Sequence, residues 1–288
     1  MIVVTGATGK LGTLILNALL ARMPAERIGA STRDPDKAEG LARAGVRVRH
    51  GDFADGASLH HAFEGATQVL LVSSNAEAYG GDTLAQHRAA IEAARDAGVQ
   101  RIVYTSHMGA STTSAFRPMH NHAATEAMLS SCGVPWTALR NGFYAEAGAA
   151  ILGDVRQTRT VAAPVDGRVS WTAHADLAAA AAVILSEQGL FDGPTPALTA
   201  GEALDMQDLV ELAAELIDVP VERRVVDDDA FRSQTIDRGV PAAYADIQLG
   251  LFRASRAGEF ARVDPTLGRL IDRAPISMRD VLATRLQP

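Results

Sequence analysis

The sequence predicts an α/β fold whose first half is a doubly wound parallel sheet, and three observations predict it. Short β-rich runs alternate with helix-periodic stretches from the first residue to about position 140. That alternation belongs to a parallel sheet with helices on both faces. Several of the helical stretches end in glycine, as helix C-termini do. Directly after the first run stands TGATGKLG at residues 5–12, with glycines at Gly6, Gly9 and Gly12. This is the spacing at which a strand, a turn and a helix hold a dinucleotide pyrophosphate.

Taken in order, the expected strands are IVVT at 2–5, IGAST at 28–32, VRVRH at 46–50, QVLLVS at 68–73, RIVYTS at 101–106 and WTALR at 136–140. Between them LGTLILNALLARM, KAEGLARAG, SLHHAFEG, TLAQHRAAIEAARDAG and ATEAMLSSCG carry apolar residues three and four apart. Right-handed crossovers then place a ligand crevice beyond the strand C-termini. There Gly6 makes the tight turn, Gly9 lets backbone approach phosphate, and Gly12 lets the helix pack on the strand. After Arg140 the regularity loosens. ADLAAAAAVILSEQG at 175–189 reads as a helix with Asp176 in its first turn, where the dipole favours an acid. ALTAGEALDMQDLVELAAELIDV reads as a strand, a turn and a helix capped by Asp205, and the remainder as helices joined by turns. The expected domains are therefore a dinucleotide-binding Rossmann domain at 1–150, with 168–200 returning to it, and a smaller C-terminal α/β lobe. That lobe, 151–167 and 201–288, is expected to close over the crevice on the substrate side.

Composition narrows the function. With 288 residues, 47% of them hydrophobic, the chain can bury a sizeable core. A formal charge of -7 with arginines scattered among acids excludes a nucleic-acid surface. No apolar run approaches the roughly 20 residues that span a bilayer. The N-terminus has no basic region of a signal segment, so no membrane partner and a cytoplasmic location are expected. Cys132 is the single cysteine, which excludes an internal disulfide and a thiolate metal cluster. The triple acid Asp227–Asp229 has no histidine at ligand spacing and reads as a solvated helix start, so no metal site is expected. Lys10 and Lys37 are the only lysines, so any chemistry that needs one has two candidates.

The residues that would read the nucleotide follow the strands. Arg33, first after the second strand in STRDPDK, can grip a 2′-phosphate, and Lys37 can add a second positive charge, which favours NADP(H) over NAD(H). The alternative is that both form surface pairs with Asp34 and Asp36. After the third strand, Asp52 can accept from the adenine amino group and Phe53 can flank the ring; otherwise they are a helix-capping acid and a core aromatic. After the fourth, Ser73, Ser74 and Asn75 would let the cofactor pass close by, or form an ordinary turn.

As a set, TGATGKLG, STRDPDK, GDF, LLVSS, YTS, HAATEAMLSSCGVPWTALRNGFYAE and AHADLAAAAA resemble the NmrA-like family of atypical short-chain dehydrogenases/reductases, and within it the NADPH-dependent quinone oxidoreductases of the QOR2 type. The resemblance covers about the first two-thirds of the chain. It implies a Rossmann domain binding NADPH, with Gly6, Thr8, Gly9, Lys10 and Leu11 as the pyrophosphate loop and Arg33 as the 2′-phosphate reader. It further implies Asp52 and Phe53 at the adenine, Ser73, Ser74 and Asn75 beside the nicotinamide ribose, and RNGFY at 140–144 lining nicotinamide and substrate.

One departure bears on mechanism. Most short-chain dehydrogenases protonate an alkoxide through a Tyr-x-x-x-Lys pair, and no tyrosine here has a lysine four residues on. In its place stands HNHAATE, with His120, His122 and Glu126. A quinone tolerates the loss, because the hydroquinone anion is a far weaker base than an alkoxide and positioning supplies most of the rate. Asn141 would donate to a quinone oxygen, and Tyr144 or His122 would offer a proton. For His122 the alternative is a helix-face pair with Glu126. His107 and His120 are further candidates to line the cleft, and His60 and His61 are expected on the surface. The reading is an NADPH-dependent oxidoreductase acting on a quinone or related conjugated carbonyl. One alternative is a catalytically silent NADP(H)-sensing regulator; another is an isoflavone-reductase-like or epimerase-like enzyme. Residues 83–97 offer an apolar face for the core or for pairing two copies as a homodimer.

Overall fold

In a computed structural model that describes residues 1–287, the strands are β1 (Ile2–Val4), β2 (Ile28–Thr32), β3 (Arg47–His50), β4 (Gln68–Leu71), β5 (Arg101–His107), β6 (Trp136–Asn141), β7 (Phe143–Tyr144), β8 (Thr160–Ala163), β9 (Trp171–Thr172), β10 (Gly193–Pro194) and β11 (Glu222–Val225). The helices are α1 (Lys10–Leu20), α2 (Glu39–Arg43), α3 (Gly56–Phe63), α4 (Thr83–Asp96), α5 (Pro118–Ser131), α6 (Ala145–Ile151), α7 (Val155–Thr158), α8 (His174–Ser186), α9 (Met206–Ile217), α10 (Asp228–Asp237), α11 (Ala242–Arg256), α12 (Thr266–Ile271) and α13 (Met278–Arg285). All six expected strands form. They join β10 in one seven-stranded sheet of order β10-β6-β5-β4-β1-β2-β3. β1 runs parallel to β2 and β4, β2 to β3, β4 to β5, and β6 to β10. The fold is the doubly wound Rossmann type, with the reversal of strand order between β1 and β4 where such sheets bind ligands.

β4 ends two residues before the expected strand does, and the reason is local. The backbone N–H of Val72 donates to the Thr5 hydroxyl at 2.9 Å, and that of Ser73 to the Thr105 hydroxyl at 2.8 Å. Side-chain oxygens thus replace the sheet ladder and release the chain into a loop. The two-residue strand β10 was outside the sequence reading, since a Gly-Pro pair carries no strand signal. The strand expected at the start of ALTAGEALD reduces to a single bridge between Asn141 and Leu198. Asp205 caps α9 as expected, in a reciprocal box with Asp208.

The chain divides into two compact units. The first is 1–106, 121–140 and 177–196, and its core sets Val3, Leu71, Ile102 and Tyr104 of the sheet against Leu59, Phe63 and Ile91 of the helices. The second is 107–120, 141–176 and 197–288, with a core built around Phe143, Trp171, Phe252 and Phe260. This division falls elsewhere than the expected domain boundaries. The units are of nearly equal size, and 107–120, 141–150, 168–176 and 197–200 belong to the second. The reason is aromatic packing: the ring of Phe143 meets Trp171 edge-on at 5.5 Å and Phe260 at 5.2 Å. Asp176, fully buried in the first turn of α8, adds to this by accepting from Arg273 at 2.5 Å and from the Ile276 backbone at 2.6 Å. Among the described residues no helix is long and apolar enough to cross a membrane.

Candidate functional site

In the first unit, the candidate nucleotide residues all lie where β1, β2, β3 and β4 end. Gly6 takes φ +58°, a left-handed conformation that glycine adopts without strain. Its carbonyl lies so close to α1 that a Cβ on Gly12 would stand 2.2 Å from it. Side-chain acceptors cap α3, α4, α9 and α10, whereas α1 begins at Gly9 with none, as do α2, α6, α11 and α12. The first N–H groups of α1 are therefore left for an anion, where the helix dipole favours one. The Thr8 hydroxyl bonds that of Thr32 at 3.0 Å and ties the loop to the end of β2. Lys10 is exposed beside it, and Leu11 is buried in the first turn of the helix. An exposed, uncapped helix start behind a glycine turn fits a pyrophosphate.

At the end of β2 the two expected cations part company. Lys37 Nζ lies 3.1 Å from Asp34, with its side chain 73% exposed, which is the alternative surface pair. The exposed Arg33 guanidinium has no ion pair among the described residues, so it is the group left to meet a phosphate. Asp52 uses one carboxylate oxygen to accept from the Ala54 backbone at 2.9 Å. Helix α3 is capped by Asp55 instead, so Asp52 is not the capping acid. Phe53 is partly buried against the first unit's core.

Ser73, Ser74 and Asn75 are braced from beneath. The Ser74 N–H donates to Nε2 of His87 at 2.9 Å, and His87 Nδ1 meets the Thr125 hydroxyl at 2.7 Å. Because Nε2 accepts, the ring is neutral with its proton on Nδ1, and burial holds its pKa down at about 4. The hydroxyl of Tyr104 donates to Ser73 and lies 2.8 Å from His122 Nδ1. The Glu126 carboxylate, four residues on from His122, is held from other elements. That carboxylate is taken by Arg140, at 2.7 Å, and by Ser106, at 2.6 Å. Sequence reasoning passed over Tyr104 and His87, because a strand tyrosine and a helix histidine show their partners only when β5, α4 and α5 are packed.

In the second unit Asn141 and Tyr144 form a cluster. Asn141 is 2% exposed, and its Oδ1 is buried without a hydrogen-bond partner. Its side chain acts on the Tyr144 hydroxyl in the sense that lowers the phenol pKa. Burial, reinforced by the Glu146 charge and opposed by the Asn141 bond, pushes the Tyr144 pKa up to about 12. The ring of Tyr144 lies on that of His174, with centroids 4.1 Å apart and planes 33° apart. His174 Nδ1 is 2.5 Å from Glu146, whose carboxyl stays below its ordinary range because the His174 bonds outweigh desolvation. Glu146 and His174 were not singled out in sequence, being 28 residues apart with no period to link them. His107 is a core residue between the rings of Phe143 and Phe260, and burial lowers its pKa to about 3. His120 bonds the Ser114 carbonyl at 2.9 Å.

The model of the NmrA-like family matches residues 1–275. The chain belongs to the NmrA-like family. It is 40% identical over 221 residues to quinone oxidoreductase 2 of Escherichia coli, covering 75% of this chain and 73% of that one. It is 32% identical over 285 residues to the NmrA-like family domain-containing oxidoreductase flvB of Aspergillus flavus, covering 97% and 92%. Among solved structures it is similar to the E. coli NADPH-dependent quinone oxidoreductase QOR2 complexed with NADPH, at a TM-score of 0.93 and 32% identity over the whole of both chains.

Proposed function

We propose that this family member is an NADP(H)-dependent oxidoreductase that reduces a quinone or a related conjugated carbonyl. The observation that carries the reading is the open start of α1 behind the Gly6 turn, together with Arg33 left without an ion pair at the end of β2. It is supported by the 40% identity to a quinone oxidoreductase and by the likeness to a structure holding NADPH. Gly6, Thr8, Gly9, Lys10 and Leu11 would hold the pyrophosphate, Arg33 the 2′-phosphate, Asp52 and Phe53 the adenine, and Ser73, Ser74 and Asn75 the nicotinamide ribose. NADPH bound there supplies a hydride. The chain's own part is to orient the acceptor and to stabilise the negative charge that develops on its oxygen.

Tyr144 is the donor this reading assigns to that oxygen. A phenol held at about 12 keeps its proton at neutral pH, so it acts by hydrogen bonding and leaves complete proton transfer to water. Asn141 keeps the role expected from sequence, a second donor to the acceptor's oxygen. His122, joined to Tyr104, serves the ribose side of the site. The absence of a Tyr-x-x-x-Lys pair favours a second reading, a catalytically silent NADP(H) sensor.

One experiment separates the two. The protein is titrated with NADPH and NADH by nicotinamide fluorescence, and a panel of quinones is then added while absorbance at the nicotinamide band is followed. Preferential NADPH binding with quinone-dependent oxidation supports the reductase. Tight binding without turnover on any acceptor overturns it in favour of the sensor.

A further inference from the structure

The chain has no lysine beyond Lys37, so nothing in its second unit can play the lysine's part beside a catalytic tyrosine. The same unit nevertheless builds an elaborate support under Tyr144. Glu146, two residues on in α6, accepts from the His174 ring at 2.5 Å and also from the His174 backbone N–H at 3.2 Å. One carboxylate therefore holds both the start of α8 and the plane of the imidazole. The imidazole is buried and packs against the phenol with the ring planes 33° apart. A tyrosine that served only as packing would need no carboxylate-braced imidazole beside it, because an aromatic ring is already content with apolar neighbours.

We infer that Glu146 and His174 are positioning residues that hold the Tyr144 ring in the orientation from which its hydroxyl donates to the acceptor. The inference rests on the reductase reading for its kinetic consequence, and on geometry alone for the positioning. Glu146 fixes the rotation of the imidazole by accepting from Nδ1, and the imidazole fixes the tilt of the phenol by packing against its ring. Holding a donor in place in this way acts on kcat and leaves cofactor binding alone.

The test is a double-mutant cycle with a readout that needs no turnover. His174→Ala is expected to lower kcat with a quinone about tenfold at unchanged KM for NADPH, and less than about twofold in a Tyr144→Phe background. Glu146→Ala should match His174→Ala, while Glu146→Gln, which keeps an acceptor for the ring N–H, restores most of kcat. Equal losses in both backgrounds would overturn the inference, because a merely structural histidine costs the same whether or not the phenol is there. His174→Phe keeps the ring's volume without the Nδ1–H and replaces His174→Ala if that variant does not fold. In the cofactor-free protein, the Asn141 side-chain amide resonance, assigned with Asn141→Asp, is expected to move on His174→Ala as it does on Tyr144→Phe. An amide resonance that does not move also overturns the positioning. If the wild-type protein reduces no acceptor, the reductase reading falls by itself, and the amide resonance still decides whether His174 positions Tyr144.

Discussion

Gly12→Ala should weaken both the fold and the nucleotide site, and the structure shows by how much. Gly12 is buried in the first turn of α1, and a Cβ there would lie 2.2 Å from the Gly6 carbonyl oxygen, 2.9 Å from its carbon and 3.3 Å from the Ala7 Cα. All three are backbone atoms, so no side chain can turn aside. Carbon and oxygen sit comfortably at about 3.3 Å, so the loop and helix must separate by roughly 1 Å. Overpacking of that kind costs about 1–3 kcal/mol, against roughly 1 kcal/mol that alanine otherwise gains over glycine inside a helix. The net expectation is a loss of about 1–2 kcal/mol, lowering Tm by several degrees. Because the displaced atoms belong to the loop proposed to hold the pyrophosphate, Kd for NADPH should rise about tenfold, equivalent to some 1.4 kcal/mol. Gly40→Ala is the matched control. Gly40 lies in α2 with nothing within 4 Å of its added Cβ, so this change should stabilise by about 0.5–1 kcal/mol and leave NADPH binding unchanged. Thermal melts and nicotinamide fluorescence titrations read both quantities. A Gly12→Ala protein with the wild-type Tm and the wild-type Kd refutes the reasoning.

Three more outcomes are expected. Arg33→Ala should cut the preference for NADPH over NADH by about ten- to a hundredfold, the worth of a charge-assisted hydrogen bond, while Lys37→Ala, already paired with Asp34, should change it less than about twofold; the ratio of the two Kd values checks this. Tyr144→Phe should lower kcat about a hundredfold with KM for NADPH unchanged, as loss of one oxyanion donor does, and steady-state kinetics on a quinone will show it. The buried histidines bear on acid stability. His87 and His107 titrate at about 4 and about 3 in the fold, below their ordinary value near 6.5 when unfolded. Between those limits the unfolded chain binds more protons, so the stability they contribute is complete above about pH 6.5 and is lost as pH falls toward about 3–4. Unfolding free energies from urea titrations across that range should slope by about 1.4 kcal/mol per pH unit for each histidine, and His87→Gln should remove one such contribution.

Particular residues show what could be read in the chain and what could not. The six strands and the glycine turn ahead of α1 were legible because their signals are local: an apolar run of a few residues, a helix period, a glycine where no Cβ fits. The cap at Asp205 was legible for the same reason. The surface pair of Lys37 with Asp34, three residues apart, stood in the sequence as one of two options, and only the placed side chains chose between them. The choice of partner for Glu126 was not legible, since Arg140 lies 14 residues away on another element, and the nearer His122 was the natural guess.

The amino-acid sequence by itself therefore determined the order of the elements, the sheet's crevice and the residues available to meet a dinucleotide, all consequences of local conformational preference. Tertiary structure decided where the chain divides, because the rings of Phe143, Trp171 and Phe260, far apart in sequence, pack into one core. It also decided that the buried Asn141 keeps an unpartnered oxygen, and that His174, held by Glu146, packs against the phenol of Tyr144. Hydrogen bonds and stacking depend on distances of a few ångströms, and such distances between residues remote in sequence exist only once the backbone has been folded.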